Sequence, residues 1–166
     1  MRRMIKARKP ECDGHGKKTK HGHHSKHSIY GSLNGTPVGL TLAQTGVNLD
    51  FVEAGPTAGM IANPDRDTIT VKTPGVYEVT FSLTTEFVNT EVAGVNYSLF
   101  INEVIVDASE IAFFKDAGDE PFGSPGSKTI LLNLKANDVI SVRPFIFVGE
   151  AVYYRNPTLV VTKVDK

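Results

Sequence analysis

The segment TVKTPGVYEVTFSLTTE, residues 70–86, decides the fold. Pro74-Gly75 punctuates it, because proline presets φ at one turn position and glycine supplies φ > 0 without steric cost. From Tyr77 the pattern alternates: Tyr77, Val79, Phe81 and Leu83 fall on one side, and Glu78, Thr80, Ser82 and Thr84 on the other. Side chains of a strand point to opposite faces with period two, so this is a half-buried strand with a defined inside. At helical spacing the same residues would scatter around the cylinder and leave no apolar stripe.

Downstream the same unit recurs. Val95, Tyr97, Leu99 and Ile101 share one face, and Asn102-Glu103 turns the chain into Val104–Ala108 as a hairpin. Lys115–Ser127 contains Gly118, Pro121, Gly123, Pro125 and Gly126 and reads as the longest loop. Ile130, Leu132 and Leu134 then alternate, and Lys135-Ala136-Asn137-Asp138 turns the chain into Val139–Val148. A last strand is expected over Pro157–Val164. Upstream, Asn34-Gly35 marks a turn at the start of the body, and Thr36–Leu42, Val47–Val52 and Gly59–Ala62 read as short strands. No stretch has helical periodicity. Eight to ten short strands at a spacing of roughly ten residues predict an all-β jelly-roll β-sandwich.

Composition divides the chain. Residues 1–27 hold nine Lys/Arg against two Asp/Glu, a balance of +7; residues 28–166 hold nine basic against sixteen acidic groups, a balance of −7. The first segment also holds Cys12 and every histidine of the chain. With almost nothing apolar after Ile5 it buries too little surface to offset its ordering entropy, so a disordered basic tail over 1–27 and a sandwich over 28–166 are expected. MRRMIKARKPEC has the charged start of a signal peptide without an apolar core behind it, which predicts no ordinary secretion. No run approaches the roughly 20 apolar residues of a membrane span, so no membrane insertion is expected.

The body contains neither His nor Cys, so no Ser-His-Asp triad or Cys-His dyad can be assembled within it. A glycosidase-like carboxylate pair remains formally open among its sixteen acids, but solvated positions are the ordinary place for such residues. Asn63, Asp65 and Asp67 alternate oxygen ligands as hard-cation loops do, and Asp116, Asp119 and Glu120 form a second acidic loop. Neither has the Gly and bidentate Glu of a full calcium loop, and turn-forming Asx chemistry accounts for both more simply. His21, His23, His24 and His27 offer imidazoles suited to zinc, copper or nickel, though a solvated, pH-responsive tail accounts for them without metal. The tail lacks aromatic residues for stacking on bases, so no nucleic-acid partner is expected. A lone mobile thiol near Lys and His predicts intermolecular disulfides through Cys12. The sequence requires no cofactor and is read as that of a non-enzyme.

Gly75-x-Tyr77-x-Val79-x-Phe81, Leu99-Phe100-Ile101-Asn102-Glu103, the run from Leu132 to Val142 and the apolar Leu159–Val164 follow in order over about the last hundred residues. This order resembles the tumour-necrosis-factor-like superfamily, which includes the globular heads of complement and collagen-like proteins. Val79 stands where the animal heads usually carry an aromatic, and no Gly-X-Y repeat precedes the body. The form looks more like the stalkless exosporium basal-layer proteins of Bacillus-type spores. That resemblance implies a homotrimer made in the mother-cell cytoplasm, self-assembling in a spore surface layer (exosporium or coat) with collagen-like spore-surface glycoproteins as partners. A rival reading is a head recognising a carbohydrate or a protein receptor. The large side chains Phe100, Phe145, Phe147, Tyr153 and Tyr154 exceed what one interior holds, and are expected at the trimer interface.

Overall fold

The computed structural model describes residues 28–89, 91–149 and 151–165; the basic tail, with Cys12 and the histidines, lies outside them. In chain order the strands are β1 (Tyr30–Asn34), β2 (Thr41–Leu42), β3 (Glu53–Ala54), β4 (Met60–Asn63), β5 (Thr68–Val71) and β6 (Gly75–Phe87). They continue as β7 (Ala93–Ile101), β8 (Val104–Ile105), β9 (Ile111–Lys115), β10 (Phe122–Leu134), β11 (Val139–Val148) and β12 (Val152–Lys163). Two 3₁₀ turns, Pro64–Arg66 and Asp107–Ser109, are the only helical pieces among the described residues.

The strands form a jelly-roll sandwich of two antiparallel sheets. The first runs β10-β6-β12-β1-β3, with β2 also on β12. The second runs β4-β5-β11-β7-β8, with β9 also on β7. Tyr77, Val79, Phe81 and Leu83 of β6 point inward as their spacing requires, and the row continues through Thr85 and Phe87. They meet Ile69, Val71, Tyr97, Leu99, Ile140 and Val142 from the second sheet, all fully buried. The Tyr77 hydroxyl donates to the Thr73 carbonyl and ties the start of β6 to the bend before it. Asn102 and Glu103 both have positive φ, 50° and 70°, as a tight hairpin between twisted strands demands.

Four local expectations change. Val47–Val52 alternates but forms no ladder, because it crosses between the sheets. The Leu49 N–H bonds the Val142 carbonyl of the second sheet, and the Val52 N–H bonds Asn34 of the first. Leu49 and Phe51 are thereby driven into the core as plugs, which reproduces a strand's period. Of Thr36–Leu42, only Thr41 and Leu42 pair as strand. The expected long loop is shorter: Phe122 to Ser127 already belong to β10. That strand is an edge, bonded only to β6, so Pro125 and the glycines leave no second ladder unsatisfied. After Val104-Ile105 the chain coils into the 3₁₀ turn Asp107–Ser109, where the buried Ser109 hydroxyl accepts the Leu99 N–H at 2.7 Å.

Phe81 sits at the centre of the strand on which both neighbours depend, and its ring is wholly enclosed. Phe81→Ala is expected to cost about 3–5 kcal/mol in urea unfolding, against less than about 1 kcal/mol for the outward Thr80→Ala.

Candidate functional site

On the outside of the first sheet, register sets small uncharged residues in rows. Thr129, Thr80, Val160 and Ser32 lie side by side across four strands, and Ser127, Ser82, Thr158 and Asn34 form the next row. Four of the six hydroxyls are already paired: Thr80 with Thr129 at 2.8 Å and Ser82 with Thr158 at 2.7 Å. Charge stands around these rows: Glu53, opposite Asn34, ends the second row. Glu78 lies to one side beside Leu131 and Thr162, and to the other the Arg155 guanidinium is bonded to Glu86. An open trough of about 380 Å³ runs along this face, with Ser82, Thr84, Pro125, Ser127 and Asn156 in its lining. Asn156, at φ 52°, belongs to the bulge that interrupts the pairing of β12 with β6 between Arg155 and Thr158. The centre of such a face loses little on contact with a second surface, since the carboxylates Glu53 and Glu78 stand at its edges and four of its hydroxyls are already bonded.

The second sheet presents the opposite character outside. Phe114, Phe145 and Phe147 are 52%, 57% and 48% exposed, which no interior demand explains. Phe114 and Phe147 lie nearly parallel, 6° between planes and 6.4 Å between centroids. Gly94 lies beneath the Phe147 ring, where any Cβ would displace it. Farther along the same face, the Arg143 guanidinium lies 4.8 Å over the Phe100 ring, held by Asn48 at 2.7 Å and Glu103 at 2.6 Å.

The five large residues expected at one interface therefore divide. Phe145 and Phe147 are open on the second sheet, Phe100 is half-buried under Arg143, and Tyr153 is half-buried on the first sheet. Tyr154 is interior: its ring packs edge-on to Tyr97 and its hydroxyl accepts the Asp50 N–H at 2.9 Å. The Cys12 and His21, His23, His24 and His27 expectations fall outside the described residues. The serine and threonine rows carried no distinguishing sequence signal, since each reads as an ordinary solvated strand position.

A smaller cavity of about 170 Å³ lies beneath the crossing segment, lined by Thr41, Gln44, Asn48, Asp50, Asp67 and Tyr154 among others. Its carboxylate Asp67 is committed to the fold. Asp67 adopts φ 57° to close the Pro64–Arg66 turn, and its Oδ1 accepts the Phe51 N–H at 2.8 Å. Desolvation pushes its pKa above the usual aspartate value, with the Phe51 N–H opposing and the Asp50 charge adding. Among the described residues no cluster of three His, Cys, Asp or Glu stands in metal-binding arrangement.

The sandwich superimposes on the globular domain of zebrafish complement 1qA protein with a TM-score of 0.59 at 15% identity, covering 84% of this chain and 99% of that one. It superimposes on the Eiger TNF from S. frugiperda with a TM-score of 0.55, also at 15% identity, covering 84% and 94%. No protein-family model matches the sequence, and no curated protein is similar to it. The fold is thus the jelly roll of complement globular heads and tumour necrosis factors.

Asp67 supplies a pH test. Its raised folded pKa means that its contribution to stability is full below the unfolded value of about 3.9 and is lost as pH rises through the folded value. Asp67→Asn keeps the acceptor and tolerates the left-handed backbone, so its stability relative to wild type should increase between about pH 3 and pH 7. Asp67→Val, strained there and lacking the acceptor, should cost about 2–4 kcal/mol in chemical denaturation at pH 7.

Proposed function

We propose that this chain is a structural building block: a homotrimeric jelly-roll head that self-assembles in a bacterial spore surface layer, with residues 1–27 as a basic tether. The observation that carries the trimer is the neutral face of the first sheet. Four of its hydroxyls are bonded in two pairs, Val160 in the rows and Leu131 beside Glu78 are 40% and 63% exposed, and its charges lie at the margins. Packing two copies against this chain around a threefold axis at Val160 removes apolar surface from water at about 25 cal/mol per Å², with Glu53 and Glu78 left at the solvent margin. The likeness to complement and tumour-necrosis-factor heads supports the same reading at the level of fold.

The spore-layer setting rests on the sequence resemblance to stalkless basal-layer proteins. It carries with it synthesis in the mother-cell cytoplasm and collagen-like spore-surface glycoproteins as partners. A body without His or Cys fits a role performed by packing rather than by the commonest hydrolytic chemistry.

Sedimentation at micromolar concentration should give about 54 kDa, three chains of 18.0 kDa. Thr80→Arg combined with Thr158→Arg places unpaired charges in the centre of the neutral rows and should reduce the particle to single chains with unchanged circular dichroism. A wild-type particle of one chain, or a trimer indifferent to both arginines, overturns the assignment.

A further inference from the structure

The aromatic face of the second sheet is not used by the trimer just proposed, and its surroundings specify what it takes. Phe114, Phe145 and Phe147, each about half exposed, leave on the order of 300 Å² of aromatic surface open at one end of the sheet. The border is acidic. Asn96, opposite Phe145, donates from Nδ2 to Glu110 at 2.9 Å, and Asp116 follows Phe114 by two residues. Glu91 belongs to the same end, because its carbonyl accepts from Lys115 Nζ at 3.0 Å.

Cations are not available locally to answer these carboxylates. Strands β7, β9 and β11 carry only two, Lys115 and Arg143. Lys115 is buried with its ammonium on the Glu91 and Asp116 carbonyls, and Arg143 is engaged by Glu103. The face nevertheless shows how its rings take a cation, since Arg143 lies over Phe100 at 4.8 Å. The ligand that fits is therefore a short basic segment with interspersed apolar side chains.

We propose that residues 1–9, MRRMIKARK, of one copy dock on the Phe114–Phe145–Phe147 face of another. This segment carries Arg2, Arg3, Lys6, Arg8 and Lys9 with no acid, interleaved with Met1, Met4 and Ile5. Guanidinium groups stack on phenyl faces, methionine sulfur packs at ring edges, and the remaining cations meet Glu110, Glu91 and Asp116. The geometry favours a neighbour over the chain's own patch. Tyr30 pairs with Thr162 at one end of β12, whereas the patch lies at the Val152 end, so the first described strand starts at the end of the sandwich opposite its own aromatic face. Residues 10–27 span up to roughly 60 Å when extended, enough to reach an adjacent head. The inference deepens the tether of the proposed function but is independent of the trimer.

The test uses the full-length protein and a fluorescent peptide of sequence MRRMIKARK, followed by anisotropy, with sedimentation on the same samples. Saturable binding is expected, weakened at least 10-fold by Phe145→Ser with Phe147→Ser. Full-length protein carrying Arg2→Ser and Arg3→Ser, whose own segment competes less, should bind the wild-type peptide more tightly. Peptides carrying Arg2→Ser and Arg3→Ser, or Met4→Ser and Ile5→Ser, probe the other partner without touching the head and should each bind more weakly. Binding equal in wild type and the phenylalanine variant, binding that depends on charge alone, or no saturation by about 1 mM overturns the docking. Loss of binding with a trimeric mass refutes the docking only, whereas binding to a single-chain particle refutes the trimer only.

Discussion

Strand β6 is hydrogen-bonded along both flanks, to β10 over thirteen residue pairs and to β12 over ten, and the rest of the sandwich depends on that double pairing. Because a strand's side chains alternate, fixing its register fixes two surfaces at once. The inward row from Tyr77 to Phe87 fills the interior, and the outward Thr80 and Ser82 align with Thr129, Ser127, Val160 and Thr158. A slip of one residue would bury Glu78 and expose Phe81, so the core enforces the register that creates the neutral face.

The two outer faces differ for reasons that also lie in pairing. On the first sheet, the Thr80 and Ser82 hydroxyls bond across strands to those of Thr129 and Thr158. On the second, Gly94 gives up its side chain so that Phe147 can lie across β7 near Phe114, concentrating aromatic surface where the sheet has no further cover. The proposed trimer uses the first face, and the proposed docking of residues 1–9 uses the second. A homopolymer needs two such kinds of contact to grow beyond a closed ring.

The parts of the fold legible in sequence are those where one local rule acts alone. The alternation of Tyr77 to Leu83, that of Val95 to Ile101, and the Asn102-Glu103 hairpin follow from period and turn chemistry. Where tertiary contacts impose the same pattern for another reason, the sequence misleads. Leu49 and Phe51 alternate because a segment bridging the sheets drops plugs into the core. The glycines and Pro125 of β10 signal a loop, yet an edge strand needs only one satisfied flank. Tyr153 and Tyr154 could not be sorted into outside and inside, because the bulge at Asn156 shifts the phase of β12 and leaves no sign in hydrophobicity. The neutral rows were illegible as a site because each member is an ordinary polar strand residue, and only cross-strand register joins them.

The proposed trimer depends on the exterior of the first sheet, rather than that of the second, meeting another copy. Electron cryo-microscopy of the purified full-length protein reads that directly from the orientation of the heads within the particle. The expected result is a threefold particle with Thr80, Ser82, Thr158 and Val160 facing its axis and Phe145 and Phe147 on its periphery. A particle in which the threonine and serine rows face solvent while the phenylalanines line the contact would contradict it.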